Sequence, residues 1–308
     1  MKKIACLLPL AFALAACGAP ETPAPAAAPD KAPVDQPASP PPPQSAQAMF
    51  SAKLDQVLAG DWRSPANKAR DAYRHPKQTL EFFGLKPGDT VVEITPGGGW
   101  YAEILAPLMK GSGTYVAAVA KPTRPDGEAA SDKAKLEQRF AGDAERFGEA
   151  KVVEFDGSAP VFGPAGSADV VLTFRNVHNW VAGDTAAAKF KAFFDVLKPG
   201  GTLGVVDHRA AAGADPEKLK DSGYLPQDLV VKLATDAGFE LVDKSEINAN
   251  PKDTKDYPKG VWTLPPTLAL GDQDRQKYLD IGESDRMTLK FRKPQGDRIF
   301  QNADGQPH

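Results

Sequence analysis

The chain predicts an α/β fold, a mainly parallel sheet with helices on both faces and an antiparallel last strand. Three observations carry this. β-rich apolar runs alternate with segments of helical periodicity from Thr90 to Ile247. Within that span, Thr90–Ile94 leads at once into the turn Thr95-Pro96-Gly97-Gly98-Gly99 and then into an amphipathic segment whose Ile104, Leu105 and Leu108 share one face, so strand, tight turn and helix succeed one another. Between the last two β-rich runs no helical pattern is long enough for a right-handed crossover, so those strands pair antiparallel.

Taken in order, Phe50, Leu54, Val57 and Leu58 give a short helical face, ended at Asp61–Pro65. A basic helical stretch follows, with Arg63, Lys68, Arg70, Arg74, His75 and Lys77, either a solvated face or an anion-gripping cap. Leu85-Lys86-Pro87-Gly88 and Leu197-Lys198-Pro199-Gly200-Gly201 read as two turns from helix into strand rather than as a repeat. Strand one is Thr90–Ile94, strand two Thr114–Val119, strand three Lys151–Phe155 before Asp156-Gly157, and strand four Ala168–Phe174. Leu136, Phe140 and Phe147 mark the helix before strand three. A helix over Ala186–Leu197 precedes strand five, Thr202–Asp207; a helix through Leu229, Val230 and Leu233 precedes strand six, Phe239–Ile247; Arg286–Arg292 is the last strand.

The ends of the 308-residue chain are of other composition. Lys2 and Lys3 precede an apolar run, Ile4–Leu14, too short to span a membrane, and Leu14-Ala15-Ala16-Cys17 follows. This resembles a bacterial lipoprotein signal, which implies cleavage after residue 16 and lipid on Cys17; an ordinary secretory signal or an anchor is the alternative. Residues 17–48, rich in Ala and Pro, cannot bury enough apolar surface to fold and predict a disordered tether, able to hold a domain about 90 Å from a membrane at ~3.1 Å per residue. The domain then covers 49–294, with a polar tail at 295–308. Cys6 leaves with the signal and Cys17 is acylated, so the mature chain has no disulfide, thiol nucleophile or cysteine metal site. Loss of Lys2 and Lys3 takes the formal net charge from -3 to -5, with no basic footprint for nucleic acid.

In a parallel sheet, ligands lie outside the carboxyl ends of the strands. The glycine turn lets backbone approach a ligand closely, and the helix start behind it favours an anionic group. His75, His178 and His208 fall in loops on that side. A three-histidine metal site is conceivable, but no close paired spacing supports it, and no metal is expected. His178, Asp207 and His208 are the candidates for base chemistry, Arg175 and Arg209 for holding an acidic acceptor. The segment Asn250–Gly282 carries Pro251, Pro258, Pro265 and Pro266 with Tyr257 and Trp262, far more than an antiparallel turn requires. It reads as an ordered apolar flap whose Tyr257 and Trp262 line the acceptor pocket; a packed surface excursion is the alternative.

Together, Leu85–Gly88, Glu93–Gly99, Ala168–Phe174, Leu197–Gly201 and the antiparallel last strand resemble a class I S-adenosylmethionine-dependent methyltransferase, with its Rossmann-like sheet, and more closely the predicted methyltransferases of bacterial envelopes. The resemblance implies S-adenosylmethionine as cofactor. Glu93 would orient its methionine amino group, Thr95, Pro96, Gly97, Gly98 and Gly99 would lie against its methionine and ribose, and Asp156 would bond the adenine amine; Asn176 joins this set. The partners implied are a small-molecule or envelope acceptor and the membrane, reached through lipid on Cys17, with the domain facing the periplasm.

Two departures stand out. Thr95-Pro96 replaces the first glycine of the family's loop and its neighbour, and strand two ends Ala117-Ala118-Val119-Ala120-Lys121 without the acid that holds the ribose hydroxyls. Gly97-x-Gly99-x-x-Ala102 also fits a dinucleotide fingerprint, but that reading needs an acid further on or a phosphate partner such as Lys121, so NAD(P) ranks below the methyl donor. Because a lipoprotein signal places the domain away from the cytoplasm where the methyl donor is made, a non-catalytic scaffold binding another envelope ligand is the second reading.

Intact mass of membrane-extracted protein checks the amino-terminal reading. A mature chain starting at a lipid-modified Cys17 is expected, and Cys17→Ser should leave the chain unprocessed; an unmodified Cys17 would rule the anchor out.

Overall fold

The computed structural model describes residues 45–122 and 128–296, without the side chains of 128–131. The expected signal at 1–16, Cys17, the tether as far as residue 44 and the tail from 297 lie outside the described residues. Helix α1 (Ala46–Ala59) begins inside the expected tether, where the Ser45 hydroxyl accepts from the Ala48 amide and caps it, and it buries Phe50, Leu54 and Val57. The basic stretch is not one helix but three, α2 (Pro65–Lys68), α3 (Asp71–Arg74) and α4 (Pro76–Phe83). Pro76 opens α4 and excludes its predecessor from the helical region, so His75 turns left-handed at φ 41 and breaks the run.

The elements that follow are β1 (Thr90–Ile94), α5 (Ala102–Met109), β2 (Thr114–Ala120), α6 (Glu128–Gly142), α7 (Ala144–Phe147), β3 (Lys151–Phe155), β4 (Ala168–Phe174), α8 (Val177–Ala182), α9 (Ala186–Val196), β5 (Leu197–His208), α10 (Pro216–Leu219), α11 (Gln227–Asp236), β6 (Glu240–Ser245), α12 (Arg275–Ile281) and β7 (Arg286–Arg292). The helix expected through Phe147 is cut at Asp143, whose carboxylate caps α7 by accepting from the Arg146 amide. The expected turn at Leu197–Gly201 is itself the start of β5, with Leu197 paired to Ala168. Helices α8, α10 and α12 have no counterpart among the expected elements.

The seven strands lie in the order β3-β2-β1-β4-β5-β7-β6. Strands β1 to β5 are parallel, and β7 runs antiparallel to both its neighbours, β5 and β6. The order reverses between β1 and β4, and this switch point is where an open α/β sheet leaves a crevice. Both faces are covered, which is why β1 is apolar on both sides: Val92 and Ile94 join a core with Phe190, Phe193 and Phe291, while Val91 joins one with Leu54, Phe83 and Leu105. The second of these cores carries α1 to α4 above it.

A buried carboxylate fastens that cap to the sheet. Glu103 on α5 is 1% exposed, and its oxygens accept from Arg63 Nε at 3.1 Å, Asn67 Nδ2 at 3.0 Å and Arg139 Nη2 at 2.6 Å. Arg63, equally buried, also forms a two-pronged pair with Asp71 at 2.7 Å and donates to the Leu58 carbonyl. Removing one partner of such a buried pair strands the other. Arg63→Ala should therefore destabilise the fold by about 3–5 kcal/mol in urea unfolding, whereas Lys77→Ala, whose pair with Asp55 is exposed, should leave the unfolding midpoint nearly unchanged.

Candidate active site

Asp207, the last residue but one of β5, has no exposure to solvent, and its bonding fixes what surrounds it. Its Oδ1 faces His178 Nδ1 at 2.9 Å and accepts from the His208 amide at 2.7 Å, while Oδ2 accepts from the His178 amide at 3.3 Å. Burial works to raise the Asp207 pKa, but His178 and then His208 outweigh it and hold the carboxyl below its usual range. An ionised Asp207 makes His178 Nδ1 the proton-bearing nitrogen and leaves Nε2 as a potential base. His208 approaches the Ser284 hydroxyl through Nδ1 at 2.5 Å, and burial pushes its pKa well down, so it is neutral. The rings of His178 and His208 lie 5.1 Å apart. The candidate histidines after β4 and β5 are therefore not separately satisfied loop residues; they meet around one carboxylate.

Beside them is a cavity of about 190 Å³ lined by Arg175, His178, His208, Trp262, Pro265 and Ser284. Trp262, 36% exposed, sits edge-on to His178 at 6.2 Å. It belongs to the Asn250–Gly282 segment, which is docked on the body through buried Val261, Leu264 and Tyr278. The Val261 amide donates to the Ser222 carbonyl, and a side chain on left-handed Gly260 would strike that carbonyl. Tyr257 is not at this cavity: it packs edge-on against Tyr278, and its hydroxyl accepts from the Thr254 amide.

The glycine turn lies on the neighbouring strand. Thr95 at φ 51, Gly97 at φ 55 and Gly99 at φ 78 are all left-handed. Gly97 and Gly98 border open space, whereas a side chain at Gly99 would press on Leu136, its Cβ at 3.0 Å, so the accessible part of the loop is its middle. Asn176 bolts the turn to β4, its side-chain amide donating to the Ile94 carbonyl at 3.0 Å, the Thr95 carbonyl at 3.3 Å and Thr173 Oγ1 at 3.2 Å. Its place is structural, linking the two halves of the switch point. Behind the turn Glu93 is 2% exposed and accepts from the Tyr115 hydroxyl at 2.7 Å.

Two other expected positions are committed elsewhere. Asp156 folds back on its own turn, Oδ1 accepting from the Ser158 amide and hydroxyl and the Ala159 amide, and the Ser158 bonds hold its pKa down to about 2. Arg209 spends its fork on Asp285 and Glu246. A cavity of about 430 Å³ beside Arg209, Pro226 and Lys255 shares none of its lining with the one at His178, and its two cations are already paired with Asp285; size does not mark the chemistry here.

Two absent groups can be weighed against these residues. The donor's methionine end fits the open Gly97–Gly98 turn with Glu93 behind it. Its nucleoside end fits less well, since β2 ends at Ala120-Lys121 and Asp156 is engaged. For a cation, His178, Asp207 and His208 bring ligand atoms within 4.8 Å of one another, but both Asp207 oxygens already accept protein hydrogen bonds, which makes the grouping an oriented base.

Burial raises the Glu93 pKa from 4.5 to about 7, the Tyr115 hydrogen bond opposing it. Between those values the folded chain keeps a proton that the unfolded chain has released, so this contribution is intact below about pH 4.5 and is lost as pH rises through about 7. The loss should be about 3 kcal/mol. Urea unfolding from pH 4 to 8 should show it in the wild type, and Glu93→Gln should flatten the profile.

No family model and no curated protein matches the chain. Solved structures do match. The 4+2 cyclase SpnF aligns over 83% of this chain and 98% of its own, with a TM-score of 0.51 and 17% identity. A protein of Galdieria sulphuraria described as a candidate sarcosine dimethylglycine methyltransferase aligns over 80% and 98%, with a TM-score of 0.51 and 13% identity. With its sheet order and single antiparallel strand, the chain has the Rossmann-like methyltransferase fold.

Proposed function

We propose that the protein is an S-adenosylmethionine-dependent methyltransferase acting on an acidic small-molecule or envelope acceptor, held at the bacterial envelope by lipid on Cys17. The observation that carries this reading is the His178–Asp207 pair at the carboxyl end of the sheet, beside a cavity and one strand from an open glycine turn, in a fold shared with methyltransferases. The envelope location rests on the lipoprotein-like residues 1–17.

Bound to the turn, the donor would supply a methyl group on a sulfonium, open to in-line attack. The chain's own residues do the rest. Amides of Gly97 and Gly98 border the space for the methionine end, Thr95, Pro96 and Asn176 keep the turn in shape, and Glu93 stands behind it. Asp207 fixes His178 in one tautomer, so Nε2 would be free to take the proton from an acceptor's hydroxyl or amine. The same carboxylate then stabilises the imidazolium until the proton leaves to solvent. Neutral His208 adds no charge of its own beside that imidazolium.

The absence of a β2 acid and the engagement of Asp156 favour one second reading, a scaffold that binds another ligand without turnover. Calorimetry on the mature protein with S-adenosylmethionine and with NAD(P) separates them. Donor binding is expected, and Gly98→Asp should abolish it, because a side chain at Gly98 meets nothing in the protein itself and can clash only with what occupies the turn. Unchanged donor binding by that variant would move the site elsewhere; binding of neither compound would favour the scaffold.

A further inference from the structure

Four guanidinium groups gather beside the same cavity, three of them on a single carboxylate. Glu283, just ahead of β7, accepts from Arg70 Nε at 2.7 Å and Arg74 Nε at 3.1 Å, and pairs with Arg286 Nη1 at 3.1 Å. Arg286 also donates to the Tyr73 and Ser284 carbonyls. Arg74 and Arg286 are each 3% exposed, and Arg74 Nη2 and Arg70 Nη2 are buried without an acceptor among the described residues. The fourth, Arg175, has no side-chain hydrogen bond or ion pair among the described residues. It lines both the 190 Å³ cavity and a narrow crevice formed with Arg74, Tyr101, Phe174 and Arg286. Its backbone is left-handed at φ 61, a conformation strained for a residue other than glycine, and the Arg175 amide donates to the Val206 carbonyl at 2.7 Å.

The charges do not balance. One carboxylate is shared by three of the cations and leaves the fourth unpaired, and the other acid nearby, Asp207, is committed to His178. Burial, followed by the neighbouring guanidinium groups, pushes Arg74 down to about 9 and Arg175 down to about 10, the direction expected where positive charge is crowded and uncompensated. Buried cations with spare donors are costly unless an anion completes them, and a planar guanidinium fork matches an oxyanion.

We infer that Arg175, backed by Arg74 and Arg286, binds an oxyanion, a carboxylate or phosphate, of the ligand that occupies the cavity beside His178. This rests on the methyl-transfer reading for the ligand's fate, though not for its charge. Two molecules could bring the anion: the acceptor, placing its nucleophile near His178, or the donor through its methionine carboxylate.

Titration of the mature protein at constant ionic strength with succinate and with inorganic phosphate, in the absence of donor, tests the site. The wild type should bind at least one of them, and Arg175→Gln should weaken that binding about tenfold or more without lowering the thermal midpoint, since Arg175 holds no partner in the fold and its loss relieves crowding among the guanidinium groups. Arg74→Gln should act in the same direction if it folds. S-adenosylhomocysteine and 5′-methylthioadenosine, which lacks the amino acid end, assign the source. If Arg175→Gln weakens only the first of these two, the anion is the donor's; if it weakens neither and still weakens succinate or phosphate, the anion is the acceptor's. Failure of the wild type to bind either small anion, together with S-adenosylhomocysteine binding indifferent to Arg175→Gln, would overturn the inference. Anion binding without binding of either nucleoside would keep it and overturn the methyl-transfer reading instead.

Discussion

The candidate site depends on one dry carboxylate. Asp207 lies at the end of a central strand with no solvent, and a charge there survives only because the amides of His178 and His208 and the His178 ring all donate to it. Those donors come from the first turn of α8 and from the strand end itself, so satisfying Asp207 dictates where α8 begins and how the His178 ring is turned. A buried charge compensated by three groups is also stiff. Side-chain geometry of that kind suits a base better than it suits a residue that must swing.

Strand β7 makes the second constraint. Because it alone runs antiparallel, its first residue, Arg286, pairs with His208, the last of β5, and the segment just ahead of it arrives on the ligand side of the sheet. That is how Ser284 reaches His208 and how Glu283 reaches the guanidinium groups of α3 and the loop before it. The helical cap, the last strand and the two strand ends after β4 and β5 thereby share one small volume, although each comes from a different part of the chain.

Much of this frame was legible in the sequence. Strands β1, β3, β4 and β7 fall on the expected residues because short apolar runs bounded by Gly, Pro or Asp punctuate themselves. The grouping of His178, Asp207 and His208 on the ligand side followed from their positions after two adjacent strands. What could not be read was pairing over distance. Nothing local tells Arg209, with two acids around it, from Arg175, with none; nor does Tyr257 differ in pattern from Trp262, although one packs within the flap and the other faces the cavity. The commitment of Asp156 had a local signal in Asp-Gly-Ser, the composition of a side-chain-capped turn. Arg286 also had one, since the start of an antiparallel last strand must lie at the ligand edge. Arg70, Arg74 and Glu283 had none.

The knot around Glu283 joins residues 213 and 209 positions apart, nearly the full span of the folded domain. Contacts of that sequence separation are paid for in chain entropy before they return anything, so they close late in folding. The parallel strands and their helices can assemble with the pocket's cationic wall still undivided between two distant stretches of chain. Completion of the anion site is therefore a property of the last strand's arrival: a polypeptide halted short of Glu283 and β7 could fold most of its sheet and still lack the partner that gathers Arg70 and Arg74, so anion recognition is withheld until that strand is in place.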